Sequence, residues 1–203
     1  EFYEKKMQEE SFDYAIDMVC MHPDQATSTI RAFEGVKHLI FCSSASVYGR
    51  EYSLYPKKED YLIKPITKYA LNKASSEKIF LDAFLKKKFP VTILRPSLTY
   101  GPKLGLYRQI STDASWIDRI KKGKSLLICD DGSARCQFMH VSDAAKIFVS
   151  LLGKKQCFGE IYNVVDNKFY TWKDYHIEAM NVIGKRVHLI DVSFKNLSNF
   201  KIP

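Results

Sequence analysis

The sequence predicts an α/β fold, a doubly wound parallel sheet in which strands alternate with helices. Three short apolar runs lack polar alternation, as is typical of strands buried on both faces of a parallel sheet. They cover residues 12–21, 36–44 and 89–96. Helical patterns separate them, and the order strand, helix, strand predicts parallel pairing with a right-handed crossover.

Two helices connect these strands. The first covers residues 24–33, following Pro23 and closed by Gly35. Residues 45–66 are rich in turn formers, and a long periodic helix then runs from about Ile66 to Lys88. Its apolar positions predict one broad buried stripe, made of Tyr69, Ala70, Ala74, Ile79, Phe80, Ala83 and Phe84.

The second half of the chain has shorter elements and predicts a smaller α/β lobe. Ser142 is expected to cap a helix, with Asp143 in the first turn, where the helix dipole favours an acid. Thr171 and Gly184 mark the ends of the last helix. The other predicted elements are strands over 125–129, 137–141, 160–165 and 186–192, and helices over 116–121 and 143–152.

The composition is that of an ordinary globular protein. A chain of 203 residues with 46% hydrophobic residues can bury a sizeable core. No apolar run is long enough to span a membrane, and the first residues are charged, so we expect a cytoplasmic protein without membrane contact. The five cysteines show no C-x-x-C spacing, which predicts buried thiols and no metal site.

The chain is basic, with 31 lysines and arginines against 23 acidic residues, a net charge of +8. A solvated surface is the ordinary explanation of such a balance. Attraction for phosphate-bearing ligands or RNA is the alternative. Charge alone does not decide between them.

Three side chains form a candidate catalytic group. Tyr69 and Lys73 lie four residues apart on one face of the long helix, and Ser44 ends the second buried strand, where parallel sheets present ligand-contacting residues. A cationic Lys73 would favour the phenolate of Tyr69, which could then act as a general base toward a substrate hydroxyl held by Ser44. The alternative is that the serine forms a turn and the other two are surface residues, since a chain rich in tyrosine and lysine contains such pairs by chance.

Four segments extend this pattern in order: "FCSSASVYG" (41–49), "TKYALNKASSEKI" (67–79), "VTILRPSLTYGP" (91–102) and "FMHVSDAAKIFVSLL" (138–152). Together they resemble the extended short-chain dehydrogenase/reductases, the NAD-dependent epimerase/dehydratase family. The resemblance runs from about Phe12 to Gly184.

The resemblance implies a Rossmann-like fold, bound NAD or NADP, and a catalytic triad of Ser44, Tyr69 and Lys73. It divides the chain into a partial NAD(P)-binding domain over 1–100, which carries the catalytic helix, and a mainly substrate-binding lobe over 101–203, with 137–152 returning to the first domain. The implied cofactor-binding residues are Cys20, Met21, Ser43, Tyr69, Lys73, Pro96 and Ser97.

The chain also departs from the family pattern. None of its nine glycines forms the glycine-rich turn G-x-x-G-x-x-G, so we expect an N-terminally truncated Rossmann sheet that begins after the family's third strand. Ala45 and Ser46 follow Ser44 where a dTDP-glucose 4,6-dehydratase would have Asp-Glu, and Ser-Ala-Ser is closer to UDP-galactose 4-epimerases.

The expected substrate-binding residues are Ser46, Leu98 and Cys136. Leu98 stands where the family has a sugar-contacting Asn, and Cys136 stands where it has a diphosphate-binding Arg. The neighbouring Arg135 could replace that arginine only through a register shift, which would turn its side chain to the other face.

Three functional hypotheses follow. The first is an NAD(P)-dependent epimerase or oxidoreductase acting on a nucleotide-linked sugar, similar to UDP-glucose 4-epimerase, with a homodimer formed through the long helix. The second is a reductase of a small carbonyl compound, which Leu98 and Cys136 favour. The third is a non-catalytic RNA-binding member of the fold, which the charge favours and the complete triad argues against.

Overall fold

The computed structural model describes residues 2–49, 56–103, 106–110 and 113–198, so residues 50–55 of the predicted turn-rich segment lie outside it. The helices are α1 (Phe2–Glu10), α2 (Pro23–Ala32), α3 (Lys68–Lys87), α4 (Ser115–Lys121), α5 (Val141–Leu151), α6 (Trp172–Ile183) and α7 (Phe194–Ser198). The strands are β1 (Tyr14–Asp17), β2 (His38–Cys42), β3 (Val91–Pro96), β4 (Leu98–Tyr100), β5 (Leu126–Cys129), β6 (Arg135–Cys136), β7 (Phe138–His140), β8 (Ile161–Val164), β9 (Tyr170–Thr171) and β10 (Leu189–Val192).

The central sheet has four strands in the order β1-β2-β3-β8, and every neighbouring pair is parallel. Its first three strands lie within the three apolar runs, which confirms the predicted α/β fold with a Rossmann-like parallel sheet. The register places Cys42 beside Leu94. The carboxyl ends of β2 and β3 therefore lie side by side.

Helices cover both faces of this sheet. Phe41 of β2 packs against Phe80 of α3, with ring centroids 4.8 Å apart, while its neighbour Ile40 packs on the other face with Phe148 of α5. Removing such a side chain from water stabilises the fold by about 1.5–3 kcal/mol. Burial on both faces explains why these strands are continuously apolar.

The long helix α3 begins where Thr67 Oγ1 accepts a hydrogen bond from the Ala70 amide at 3.1 Å. The predicted stripe is wrong at Tyr69, whose side chain at the start of the helix is 44% exposed. It also omits three polar residues that share the buried face with the apolar ones. The buried residues of α3 are Ala70, Lys73, Ser76, Glu77, Phe80 and Ala83.

The caps of the later helices differ from one another. The prediction that Ser142 caps α5 is wrong: His140 is the cap, and its Nδ1 accepts a hydrogen bond from the Ser142 amide at 3.2 Å. The extended backbone of His140 lets its ring reach the first free amide. In α6 the predicted cap is confirmed, because Thr171 and Asp174 form a reciprocal capping box.

The chain divides into two compact units, Glu1–Thr99 with Met139–Val165, and Tyr100–Phe138 with Asp166–Pro203. The first contains the central sheet. The second has its own core, in which α4, α6 and β5 pack together through Trp116, Ile120, Leu126 and Met180. Its β5 pairs with β10 in parallel, and its β6 pairs with β9 antiparallel. A substrate-binding role for this unit stays a prediction.

Candidate functional site

Lys73 is buried at the carboxyl end of the sheet, with only 1% of its surface exposed. Its ammonium group donates hydrogen bonds of 2.8 Å to the carbonyl of Cys20 and of 2.8 Å to the carbonyl of Cys42. Burial lowers the pKa of Lys73, because the charged form loses water. The alternative that Lys73 is a surface residue is therefore wrong, and the lysine links the ends of two strands to α3.

The Cys20 carbonyl, one of the two that accept a hydrogen bond from Lys73, belongs to a turn that Asp17 stabilises. Its Oδ1 accepts hydrogen bonds from the amides of Val19 at 3.0 Å and Cys20 at 2.9 Å, and its Oδ2 accepts one from the Thr29 hydroxyl at 2.8 Å. Asp17 is itself the last residue of β1. The carboxylate thus fixes the backbone that holds the lysine.

Tyr69 lies one helical turn before Lys73. The Lys73 Nζ is 5.8 Å from the centroid of its ring and 5.1 Å from that of Phe41. Because 44% of Tyr69 is exposed, an external molecule can reach it. The helix therefore presents an accessible phenol beside a buried cation.

The three serines after β2 occupy different environments. Ser43 is buried, and its hydroxyl donates to Glu77 Oε1 at 2.5 Å. Ser44 caps a short 3-10 turn, and its Oγ accepts hydrogen bonds from the amide of Ser46 at 3.2 Å and the hydroxyl of Ser46 at 2.9 Å. Ser46 is exposed. The predicted catalytic serine, Ser44, is thus partly accessible. Ser43, one of the predicted cofactor-binding residues, is buried and bonded to Glu77.

The residues predicted to hold NAD(P) fit the nicotinamide end of such a molecule. Ser97 follows β3, and its buried Oγ has no hydrogen-bond partner among the described residues. Pro96 at the strand end is half-buried, and Met21 beyond β1 is 46% exposed. Together with the Lys73 ammonium they offer a polar atom, a cation and apolar surface at neighbouring strand ends.

A charged network that the sequence did not predict lies beside these residues. Glu77 and Arg95 form a bidentate ion pair, with Arg95 Nε 2.9 Å from Oε1 and Nη2 2.8 Å from Oε2, and both side chains are 3% exposed. Arg95 Nη1 also donates to the Tyr48 hydroxyl at 2.8 Å. We call Ser43, Tyr48, Glu77 and Arg95 the carboxyl-end network.

This network continues into the last strand of the sheet. Burial raises the pKa of Tyr48, so its hydroxyl keeps its proton and donates to Asn163 Oδ1 at 2.8 Å. The amide of Asn163 in turn donates to Glu59 Oε1 at 2.8 Å. The network therefore joins α3 to β2, β3 and β8. A signal for it was present, because Tyr69, Lys73 and Glu77 follow one another at four-residue spacing.

The predicted substrate-contacting residues lie in different surroundings. Leu98 is 38% exposed. Cys136 is buried in the second unit, and burial raises its pKa to about 12, so it stays a neutral thiol. Arg135 pairs with Thr171 in the β6–β9 register, and its guanidinium lies 5.6 Å from the centroid of the Phe169 ring.

The five cysteines, all within the described residues, are free thiols, and all but the half-buried Cys42 are buried. Across the described ranges no cluster of His, Cys, Asp or Glu could hold a metal ion. No helix in the part of the chain that the structure describes is both long and apolar enough to cross a membrane.

A parallel sheet covered by helices on both faces, with polar residues gathered at its carboxyl end, defines a Rossmann-like α/β protein. The model of the NAD dependent epimerase/dehydratase family matches residues 8–164. The chain belongs to this family, as the four sequence segments predict.

The names of individual relatives describe different functions. The 2'-dehydrokanamycin reductase of Streptomyces kanamyceticus is 23% identical over 190 residues, which are 94% of this chain and 54% of that protein. A chloroplast stem-loop binding protein of 41 kDa from Arabidopsis thaliana is 24% identical over 85% of this chain and 43% of its own length. The chain thus spans about half the length of these relatives.

Solved structures share the fold. The UDP-glucuronic acid 4-epimerase of Bacillus cereus, in complex with UDP-glucuronic acid and NAD, superposes with a TM-score of 0.72 at 21% identity. The superposition covers 95% of this chain and 66% of that one. At this identity the likeness shows the fold alone.

Proposed function

We propose that this chain is the catalytic part of an NAD(P)-dependent epimerase that acts on a nucleotide-linked sugar through Ser44, Tyr69 and Lys73. Membership of the epimerase/dehydratase family gives the reaction class. The observation that carries the assignment to these residues is the buried Lys73, held by two strand-end carbonyls beside an accessible Tyr69.

Each residue has a separate task in this proposal. Tyr69 takes the proton of a secondary hydroxyl on the sugar and returns it later in the cycle. Ser44 donates a hydrogen bond to the same oxygen, since its Oγ already accepts from Ser46 and its own proton remains to be donated. The Lys73 cation stabilises negative charge that develops on Tyr69.

NAD(P) would supply the acceptor and donor of the hydride that this oxidation and reduction require. Its nicotinamide ribose end would be held by the Pro96 ring, the Lys73 ammonium, the backbone of Cys20 and Met21, and Ser97 Oγ, which has no partner in the described part of the chain. These residues would orient the ring and exclude water from it, while Tyr69 would carry out the proton transfer.

The test is to incubate the purified whole protein with NAD⁺ and either UDP-glucose or UDP-glucuronic acid, and to follow both sugar epimers by proton NMR. An epimerase converts each sugar into its C4 epimer without net formation of NADH. If the protein binds NAD⁺ and UDP-sugar but forms no epimer, the proposal is wrong.

A reductase is the second candidate, supported by the named reductase among the relatives and by the apolar Leu98 in place of a sugar-contacting Asn. It predicts stoichiometric consumption of NAD(P)H with a small carbonyl compound. RNA binding is a third outcome, since one relative is named a stem-loop binding protein. Salt-sensitive RNA affinity without NAD(P) binding would favour it.

A further inference from the structure

We propose that the carboxyl-end network of Ser43, Tyr48, Glu77 and Arg95 positions the catalytic groups, and that Glu77 is its central positioning residue. The inference rests on the proposed function and extends it to Tyr48, Glu77 and Arg95, none of which is a predicted substrate- or cofactor-binding residue. Ser43, which the resemblance places among the cofactor-binding residues, directs its hydroxyl to Glu77. It begins with the place of Glu77, one helical turn beyond Lys73 on the same buried face of α3.

At the ends of β2 and β3, a network residue directly precedes a predicted site residue. Ser43 directly precedes Ser44, and its amide donates to the Leu94 carbonyl at 2.7 Å. Arg95 directly precedes Pro96 at the end of β3. A movement of the network would therefore move the serine, the lysine and the end of β3 together.

Glu77 is the residue on which these links converge. Its Oε1 accepts from both the Ser43 hydroxyl at 2.5 Å and Arg95 Nε at 2.9 Å, and its Oε2 accepts from Arg95 Nη2 at 2.8 Å. Hydrogen bonds to charged groups are stronger and more directional than neutral ones. One carboxylate thus fixes α3 against the ends of β2 and β3.

A buried ion pair is a poor way to obtain stability alone, because desolvation offsets most of the attraction. Apolar residues of similar volume would serve a purely structural purpose at least as well. Fixed geometry is the benefit that a bidentate pair adds, and a displacement of about 1 Å in a catalytic group can lower a rate by about 100-fold.

The opposite end of the same strands provides a matched control. We call it the amino-end cluster: His38 Nε2 lies 2.8 Å from Thr92 Oγ1, and the Thr92 hydroxyl donates to the Cys157 carbonyl at 2.5 Å. Ser43→Ala and Thr92→Val each delete one buried hydroxyl, the first just after β2 and the second within β3. Thermal unfolding measures the loss of stability in each variant, so a loss of activity that is larger than the loss of stability explains reports position.

The experiment compares Ser43→Ala, Glu77→Gln and Thr92→Val in thermal unfolding and in steady-state turnover of the UDP-sugar. We expect kcat to fall about tenfold in Ser43→Ala and about 100-fold in Glu77→Gln, with KM changed less than about twofold. Thr92→Val should unfold at a lower temperature with unchanged kcat. Equal losses of kcat in Ser43→Ala and Thr92→Val would overturn the inference.

A second measurement needs neither substrate nor cofactor. In ¹⁵N-lysine-labelled protein at one pH, the Lys73 ammonium signal reports its bonds to Cys20 and Cys42. We expect it to shift or broaden in Ser43→Ala and Glu77→Gln but not in Thr92→Val; an unchanged signal in both network variants contradicts the inference. Because Ser43→Ala removes no charge, it keeps the test valid if Glu77→Gln does not fold.

The two measurements separate the hypotheses. Absence of turnover in the unmodified protein counts against the proposed function, while the Lys73 signal still tests the positioning role. A different result counts against the positioning role alone: the unmodified protein turns over normally, and both network variants keep an unchanged Lys73 signal and an undiminished kcat.

Discussion

The two ends of the central sheet bury polar side chains in different ways. At the amino end, the cluster is neutral: burial lowers the pKa of His38, its Nδ1 accepts from the Gly153 amide at 3.1 Å, and its Nε2 bonds to Thr92. Each polar atom of this cluster has a partner inside the fold. Such an arrangement stabilises the sheet and leaves nothing for a ligand.

At the carboxyl end the buried side chains include charged groups. Lys73 and the ion pair of Glu77 with Arg95 are buried there, beside the exposed Tyr69. The nearby Ser97 Oγ has no hydrogen-bond partner within the described ranges. The comparison teaches that the same strands end in a neutral, internally paired cluster on one side and in charged groups beside an accessible phenol on the other. In parallel α/β proteins, ligands bind at the carboxyl ends of the strands.

The largest effect should come from the phenol at the carboxyl end. Tyr69→Phe removes the proposed general base and should lower kcat about 1,000-fold, within the usual range for acid–base groups. Cofactor affinity and the unfolding temperature should stay unchanged, since the hydroxyl belongs to an exposed side chain. Turnover assays and isothermal calorimetry measure these quantities.

Tyr14 is a matched control for this substitution. It begins β1 at the amino end of the sheet and is 45% exposed, against 44% for Tyr69. Tyr14→Phe should leave kcat unchanged. Near-normal turnover in Tyr69→Phe would show that the phenol has no catalytic role.

The next effect is on stability. Arg95→Met leaves the Glu77 carboxylate buried without its cation and should cost about 3–5 kcal/mol of unfolding free energy. Lys78→Met removes an ion pair of the same helix whose side chains are 77% and 38% exposed, and should cost less than about 1 kcal/mol. Urea denaturation compares the two, and equal costs would mean that burial of the pair is unimportant.

Two glycines with positive φ test the backbone at each end. A Cβ at Gly49, in the segment after Ser44, would lie 2.1 Å from the Lys64 carbonyl oxygen, whereas one at Gly35, before β2, meets nothing within 4 Å. Gly35→Ala should cost about 1–2 kcal/mol for the left-handed backbone alone. Gly49→Ala should cost about 3 kcal/mol or more, because the clash adds strain. Equal losses of unfolding free energy in the two variants would show that the segment around Gly49 relaxes without strain.

The smallest effect is a pH dependence. Burial lowers the folded-state pKa of His38 and of His176 below the ordinary value of 6.5. Below that pH the unfolded chain binds more protons than the folded protein, so stability is fully present above pH 6.5 and is lost as the pH falls. The slope is at most about 1.4 kcal/mol per pH unit for each histidine.

Replacing both histidines by Gln should remove most of this slope, because each histidine contributes about one proton to it. Urea denaturation at about pH 7.5 and at successively lower pH measures the slope. A slope that persists in the double variant would place the effect in other groups.

The parallel sheet could be predicted from the sequence, and Ser44, Tyr69 and Lys73 could be selected as candidate site residues, because apolar runs and ordered motifs are local signals. Glu77 and Arg95 could not be found in this way, since a charged residue on a helix or strand is ordinarily exposed. Only tertiary packing shows that each buries the other. The cap of α5 was missed for a similar reason: His140 and Ser142 lie two residues apart, and the end of β7 at His140 decides which of them caps the helix.

The buried face of α3 has a consequence for how the chain reaches its native alignment. Lys73 and Glu77 can be buried only when the carbonyl of Cys42 and the guanidinium of Arg95 are in place. A slip of β3 by one residue would turn Arg95 to the opposite face and leave Glu77 unpaired in the interior. The buried charges of α3 thereby favour the native register of β3 and destabilise registers shifted by one residue.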